Sequence, residues 1–269
     1  MIPADLDLAR RLEAAEAYAC AEFADTRKRL DPHSSSVWKK CAGATLVFDG
    51  VDAPTTQTFG VGIFEELTPE ALDEMEHFFR DRGAEVMHEV CPFAGVPALD
   101  LLCRRGYRPI EISNVTYRAV EKSGETLSPD IRVRMIRDNE AELWSNISAR
   151  GWAHEHPELE EFLRELGDVC VARVNGSCFL AEINGVPGGA GALIIHEGVA
   201  LFGGAATVPE LRRCGLQSAL LYERMRYAAE RKCDLAMMVA EAGSNSQRNA
   251  ERKGFRVAYT RSKWQLKQC

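Results

Sequence analysis

Two adjacent arginines, Arg212 and Arg213, stand before Cys214 and Gly215, and Leu216, Gln217 and Ser218 come next. The preceding residues from Val199 form an apolar run, and those from Gln217 to Lys232 form a helical one. The first N–H groups of a helix have no partner within it, and the helix dipole favours negative charge at that end. A glycine there removes the Cβ that would hold a ligand off the backbone, and guanidinium groups add charge-assisted donors. Strand, glycine-containing loop and helix together predict a site for paired phosphates. It is not a Walker loop, because no Gly-Lys-Ser/Thr follows. Nor is it a dinucleotide fingerprint, because the second glycine is missing.

This loop resembles the acyl-CoA pyrophosphate loop of the GNAT superfamily of N-acyltransferases, whose pattern is Gln/Arg-x-x-Gly-x-Gly/Ala. Here it stands as Arg212-Arg213-Cys214-Gly215-Leu216-Gln217, with Gln217 in place of the final small residue. Ala206-Thr207-Val208-Pro209-Glu210 before it and Gly254-Phe255 after it fall where the family has them. The resemblance implies an α/β fold of two GNAT-like domains. Each would have a mixed, mainly antiparallel central sheet flanked by helices, with a V-shaped splay between two parallel strands. It further implies acetyl-CoA as cosubstrate, with the pyrophosphate on residues 212–218. The pantetheine amides would lie along Ala205, Ala206 and Thr207, with polar contacts from Ser246 and Asn249.

The implied reaction is direct attack of an amine on the thioester. It needs an oxyanion donor, a base and an acid for the thiolate. By resemblance the donor is the backbone N–H of Thr207 or a neighbour. The tyrosine that the family carries four residues before Gly-Phe is Ala250 here, which leaves the acid unassigned. Glu241, after the strand 234–240, is the candidate base, and a solvated loop carboxylate is the competing reading. Trp152, His154, Glu155 and His156 lie in the segment that usually covers the acceptor, and a surface loop explains them equally well. Helix capping competes with cofactor contact at Ser246. Tyr222 and Tyr227 on the long helix face core or solvent.

The elements that position these groups are read from periodicity. Ala4–Leu30 reads as a long helix. Strands are expected at Val37–Phe48 and Thr55–Ile63, separated by a turn near Asp49-Gly50. Thr68 caps a helix to about Arg82, and a strand at Glu85–Val90 comes next. Gly106 closes a helix over Ala98–Arg105, before one or two strands to Arg118. In the second half, Ile131–Ile136 is a strand, and Asp138 caps a helix to Gly151. Glu158–Leu166 is a further helix. Val169–Val174 and Cys178–Ile183 read as strands, with a hairpin at Asn184-Gly185. Strands at Gly189–Ile195 and from Val199, the phosphate helix, a strand at Asp234–Ala240, a helix at Gln247–Lys253 and the last strands complete the chain. Gly188-Gly189-Ala190-Gly191 lies in a hairpin strand rather than a phosphate loop.

The halves repeat each other. Setting Gly254-Phe255 on Gly106-Tyr107 places Arg212 and Arg213 on Phe64 and Glu65, with Glu66 next. Carboxylates there repel phosphate. The expected organisation is a degenerate, CoA-free domain at 1–120, a polar linker at 121–130, and an acetyl-CoA-binding domain at 131–269.

A net charge of −7 and a pI near 5.5 argue against nucleic acid or an anionic membrane as partner. No signal peptide or membrane span is apparent. Nine scattered cysteines without C-x-x-C pairs suit free thiols in a reducing cytoplasm and no metal site. The expected protein is a cytoplasmic monomer or homodimer that acetylates a small-molecule or amino-acid-like amine. A non-catalytic acyl-CoA sensor or partner-binding module is the alternative.

Overall fold

The computed structural model describes residues 2–121, 128–153 and 157–267 of the chain. His154, Glu155, His156 and most of the expected linker lie outside them. The chain forms two compact units. One is made of Met1–Arg118 together with Met237–Cys269, the other of Ala119–Ala236.

In the first unit, α1 (Leu6–Leu30) opens on Asp5, whose carboxylate accepts from the Leu8 N–H. Strands β1 (Val37–Cys41) and β2 (Ala44–Phe48) form a tight antiparallel hairpin. Its turn is Ala42-Gly43, both at positive φ, so the expected single strand is a folded pair. Next come β3 (Gln57–Phe59), α2 (Pro69–Arg80), β4 (Met87–Val90), α3 (Gly95–Arg105) and β5 (Tyr107–Ala119). Strand β3 runs parallel to β4 and antiparallel to β2, which makes the sheet mixed. Alternation along β2 sorts the core into two layers. Leu46 and Phe48 join Leu72, Met75, Phe79 and Leu102 of α2 and α3, while Val47 packs with Ala17 and Ala24 of α1.

The chain's last strand, β11 (Arg256–Leu266), belongs to this first unit. It lies between β4 and β5, antiparallel to both. Beyond β5 comes Met237–Glu241 of β10 (Leu235–Glu241), where the Thr116 hydroxyl donates to the Met238 carbonyl.

The second unit is an antiparallel sheet in the order β6 (Ile131–Met135), β7 (Gly176–Ile183), β8 (Val186–His196), β9 (Val199–Thr207). Asn184 and Gly185 both take positive φ in the β7–β8 hairpin, as the Asn-Gly pair predicts. On one face lie α4 (Ala141–Trp152) and α5 (Glu160–Val171). Trp144 and Ile147 pack there with Cys178, Leu180, Ala190 and Ala192. On the other lies α6 (Leu216–Glu230), which approaches Gly189 and Gly191.

The strand expected at Val169–Val174 begins instead as the end of α5. Gly167 of that helix sits so close to α4 that a Cβ would come within 3.1 Å of Ser145, and this packing overrides the β-branched run. Asp138 opens a 3-10 turn rather than capping α4. The cap-like bond there runs from the Arg137 N–H to the Glu140 carboxylate, at 2.8 Å.

Candidate acyl-CoA site

Helix α6 begins at Leu216 behind Gly215, which holds a left-handed φ of 91°. Gly215 offers no side chain to the helix's first N–H groups, so the head of α6 lacks the usual side-chain cap. A Cβ there would also come within 3.2 Å of Ile131 Cδ1. Thus both conformation and space select glycine. Arg213, two residues earlier, is exposed and takes a left-handed φ of 64°.

Arg212 is exposed but anchored. Its Nη2 donates to the Gly151 carbonyl at 3.0 Å, and its Nε approaches the Thr207 carbonyl at 3.5 Å. Both partners are backbone carbonyls, so neither of them neutralises the charge. Gln217 reaches from the first turn of α6 to the Thr207 hydroxyl, its Nε2 donating at 2.8 Å. Cys214 and Ser218 are exposed on the same turn, and Leu216 is buried beneath it. Arg212, Cys214, Gly215, Leu216, Gln217 and Thr207 are therefore brought together in the second unit.

The end of β9 is shaped by close packing. Gly151 of α4 lies against it, where a Cβ would meet Ala206 Cβ at 2.6 Å and the Thr207 nitrogen at 3.0 Å. The ladder with β8 shifts register here: Ala190 faces Ala206, but Ala192 faces Gly203. Gly204 and Ala205 thus oppose Gly191 alone. Gly204 has a φ of 59°, the signature of a bulge with glycine in the left-handed position. Gly204 is exposed and Ala205 half-buried, so backbone is accessible where the resemblance implies a linear amide ligand.

The other expected site residues lie in the first unit. Glu241 ends β10 and is exposed. Helix α7 (Asn245–Arg252) is capped by Ser244, whose hydroxyl accepts from the Gln247 N–H at 3.2 Å. Ser246 is therefore not the cap. It is exposed in the first turn, and Asn249 is exposed with its Oδ1 accepting from Arg252. Ala250, where the family carries tyrosine, is 2% exposed. The Tyr227 hydroxyl pairs with Ser177 at 3.0 Å and its ring meets Phe179 edge-on, so it is committed to packing.

The head of α2 in the first unit offers the opposite chemistry. Thr68 fills the cap, accepting from the Ala71 N–H at 3.2 Å, and Pro69 removes a further donor. Glu65 and Glu66 are exposed just before it. Sequence reasoning missed Gly151, Gly191 and a buried arginine, Arg224, as parts of the second unit's site. The glycine run at 188–191 was the visible signal. Among the described residues, no group of three His, Cys, Asp or Glu is placed to hold a metal ion, and no helix is long and apolar enough to cross a membrane.

Residues 114–242 match a family model described as an acetyltransferase (GNAT) domain. Among solved structures, a GCN5-related N-acetyltransferase from Kribbella flavida is similar, with TM-score 0.66, 16% identity, and coverage of 93% of this chain and 96% of that one. For a GCN5-related N-acetyltransferase from Sphaerobacter thermophilus the TM-score is 0.56 at 16% identity, with coverage of 84% and 81%. A tandem GNAT protein from the clavulanic acid biosynthesis pathway has TM-score 0.57, 14% identity, and coverage of 84% and 79%. At these identities the likeness is one of fold. No curated protein matches the chain.

Proposed function

Because residues 114–242 match a GNAT acetyltransferase domain model and the whole chain shares its fold with GNAT structures, we propose that it is an acetyl-CoA-dependent N-acetyltransferase acting on the amine of a small or amino-acid-like acceptor. The observation that carries the cofactor reading is the uncapped head of α6 behind Gly215, flanked by Arg212 and Arg213. Acetyl-CoA would supply an activated acyl thioester. Arg212, Arg213 and the N–H groups of residues 215–218 hold its diphosphate in this reading, and Ala205, Ala206 and Thr207 offer backbone to its pantetheine arm. The Thr207 backbone N–H serves as oxyanion donor, and Glu241 is the proposed base. Glu241→Gln is expected to lower kcat more than acetyl-CoA affinity. Ser246 and Asn249 are proposed as further cofactor contacts.

The domain assignment goes with this reading: a CoA-free domain at 1–120, a linker at 121–130, and the CoA-binding domain at 131–269, whose residues 237–269 pack with the first unit. The Thr68 cap and the acidic pair Glu65 and Glu66 support it. Calorimetry with CoA is expected to give one site per chain, and a stoichiometry of two would defeat the assignment.

Buried Ala250 and committed Tyr227 favour a second reading, an acyl-CoA sensor without turnover. A thiol-release assay with acetyl-CoA and a broad amine panel separates the two. Acceptor-dependent CoA release supports the transferase. Tight binding with no release across the panel supports the sensor. The cytoplasm is the proposed compartment.

A further inference from the structure

We infer that Arg224 is a positioning residue for the acyl-donor strand, holding the bulge at Gly204–Ala205 through the backbone carbonyls of Gly203 and Ala192. The inference rests on the reading of β9 as the strand that pairs with the pantetheine arm.

Arg224 is 1% exposed, at the centre of the α6 face that packs on the sheet. Its neighbours on that face are Leu220, Leu221, Met225 and Ala228, all buried. An apolar side chain would complete this stripe without the heavy penalty of desolvating a guanidinium. The charge has no carboxylate partner among the described residues. Its Nε donates to the Leu220 carbonyl at 3.2 Å, and its Nη1 donates to Ala192 at 3.0 Å and to Gly203 at 3.3 Å. The guanidinium also lies 5.0 Å from the Phe202 ring centre, a stabilising arrangement for a desolvated cation. Burial pulls its pKa down to about 10, so it stays charged at neutral pH.

The two strand carbonyls identify the purpose. Ala192 and Gly203 are the last regular pair before the register shift, and the bulge begins at the next residue of β9. An extra residue disrupts the ladder and can leave backbone acceptors unpaired, at a cost when they are buried. Arg224 supplies one donor group to both sides of the pair. Gly191, the single residue opposite the bulge, makes room for it: a Cβ there would meet the guanidinium carbon at 3.3 Å and Nη1 at 3.4 Å. Arginine, glycine and bulge thus form one device in three elements, α6, β8 and β9.

Two ligands and one exchange measurement test the inference. Acetyl-CoA carries the pantetheine arm, whereas 3′-phosphoadenosine 5′-diphosphate carries the diphosphate without it. Arg224→Met is expected to weaken acetyl-CoA binding about tenfold, the loss expected for charge-assisted hydrogen bonds. Affinity for the armless ligand should stay within about twofold. Amide hydrogen exchange should accelerate in the peptide spanning 201–206 and not in α4. Gly191→Ala leaves the arginine in place but crowds it. It should act in the same direction, and the double variant should be less than additive. It also serves if Arg224→Met does not fold. Equal loss of both ligands, or unchanged exchange at 201–206, would overturn the inference. If the unaltered protein binds neither ligand, the acetyl-donor reading fails, and the exchange measurement alone still decides whether Arg224 holds the bulge.

Discussion

Arg212 and Arg213 look equivalent in the sequence, but the structure gives them different tasks. Arg212 ties the turn before α6 to the end of α4 through the Gly151 carbonyl. Arg213 is exposed and held in the left-handed region, where a side chain costs roughly 1–2 kcal/mol relative to glycine. Arg212→Ala is therefore expected to lower both CoA affinity and the thermal midpoint of the second unit. Arg213→Gly should lower CoA affinity, by ~1–3 kcal/mol if it meets phosphate, while leaving thermal stability equal or higher. A calorimetric titration and a melting curve on each variant check the pair, and parallel behaviour of the two would refute the division. The uncapped glycine turn at the head of α6 was legible because it depends on local backbone chemistry at one helix head. Gly151, Gly191 and Arg224 were not, because each matters only through a distance to an element far away in sequence.

At the scale of elements, hydrophobic periodicity placed every long helix, and the Asn-Gly hairpin turn followed from residue type alone. It failed at Val169–Val174, where contact with α4 decided the outcome, and at the β1–β2 hairpin, where Ala42 takes a conformation that glycine usually supplies. No sequence rule revealed what α1, β4 and β11 bury between them. Arg261 is 3% exposed and binds Glu16 through two bonds, at 2.5 and 2.8 Å, with Glu13 at 3.3 Å and Glu89 at 3.1 Å. Burial pushes Glu89 up to about 7, with Glu16 and Glu13 adding to the rise against Arg261 and Lys263. The native state therefore keeps a proton on Glu89 that the unfolded chain releases near pH 4.5. Its contribution to stability is full below that value and is lost as pH rises through 7. His88 acts with the opposite sign, since burial lowers it to about 3 and stability is lost as pH falls below its unfolded value of 6.5. Comparison with Glu89→Gln cancels the histidine. From about pH 5 to about pH 7.5 the unaltered protein should lose stability relative to the variant, by up to about 3 kcal/mol. Urea midpoints at the two pH values measure it, and an identical pH dependence in both proteins would exclude the buried proton.

Over the whole chain, the repeat seen in the sequence and the compact units of the structure divide the molecule differently. The sequence offers one boundary, near 121–130. The contacts add a second, at Ala236/Met237, because β11 returns to the first unit. Pairing partners so distant in sequence carry no local signature, and this is why the final strand could be recognised but not assigned. The GNAT match stops at residue 242, yet residues 243–269 are structural to the first unit. Strand β11 fills the space between β4 and β5, with Tyr259, Arg261 and Trp264 buried along it. A chain ending at Ala242 leaves two strand edges unpaired and strips Glu13 and Glu16 of Arg261. An uncompensated buried charge alone costs roughly 3–5 kcal/mol, a large share of the stability of an ordinary domain. That shortened chain should lose cooperative unfolding or accumulate as insoluble protein. Supplying residues 243–269 as a separate co-expressed peptide should restore a soluble complex, since strand pairing does not require chain continuity. A soluble 1–242 chain melting at the full-length midpoint would show that β11 is dispensable and that the first unit is complete without it.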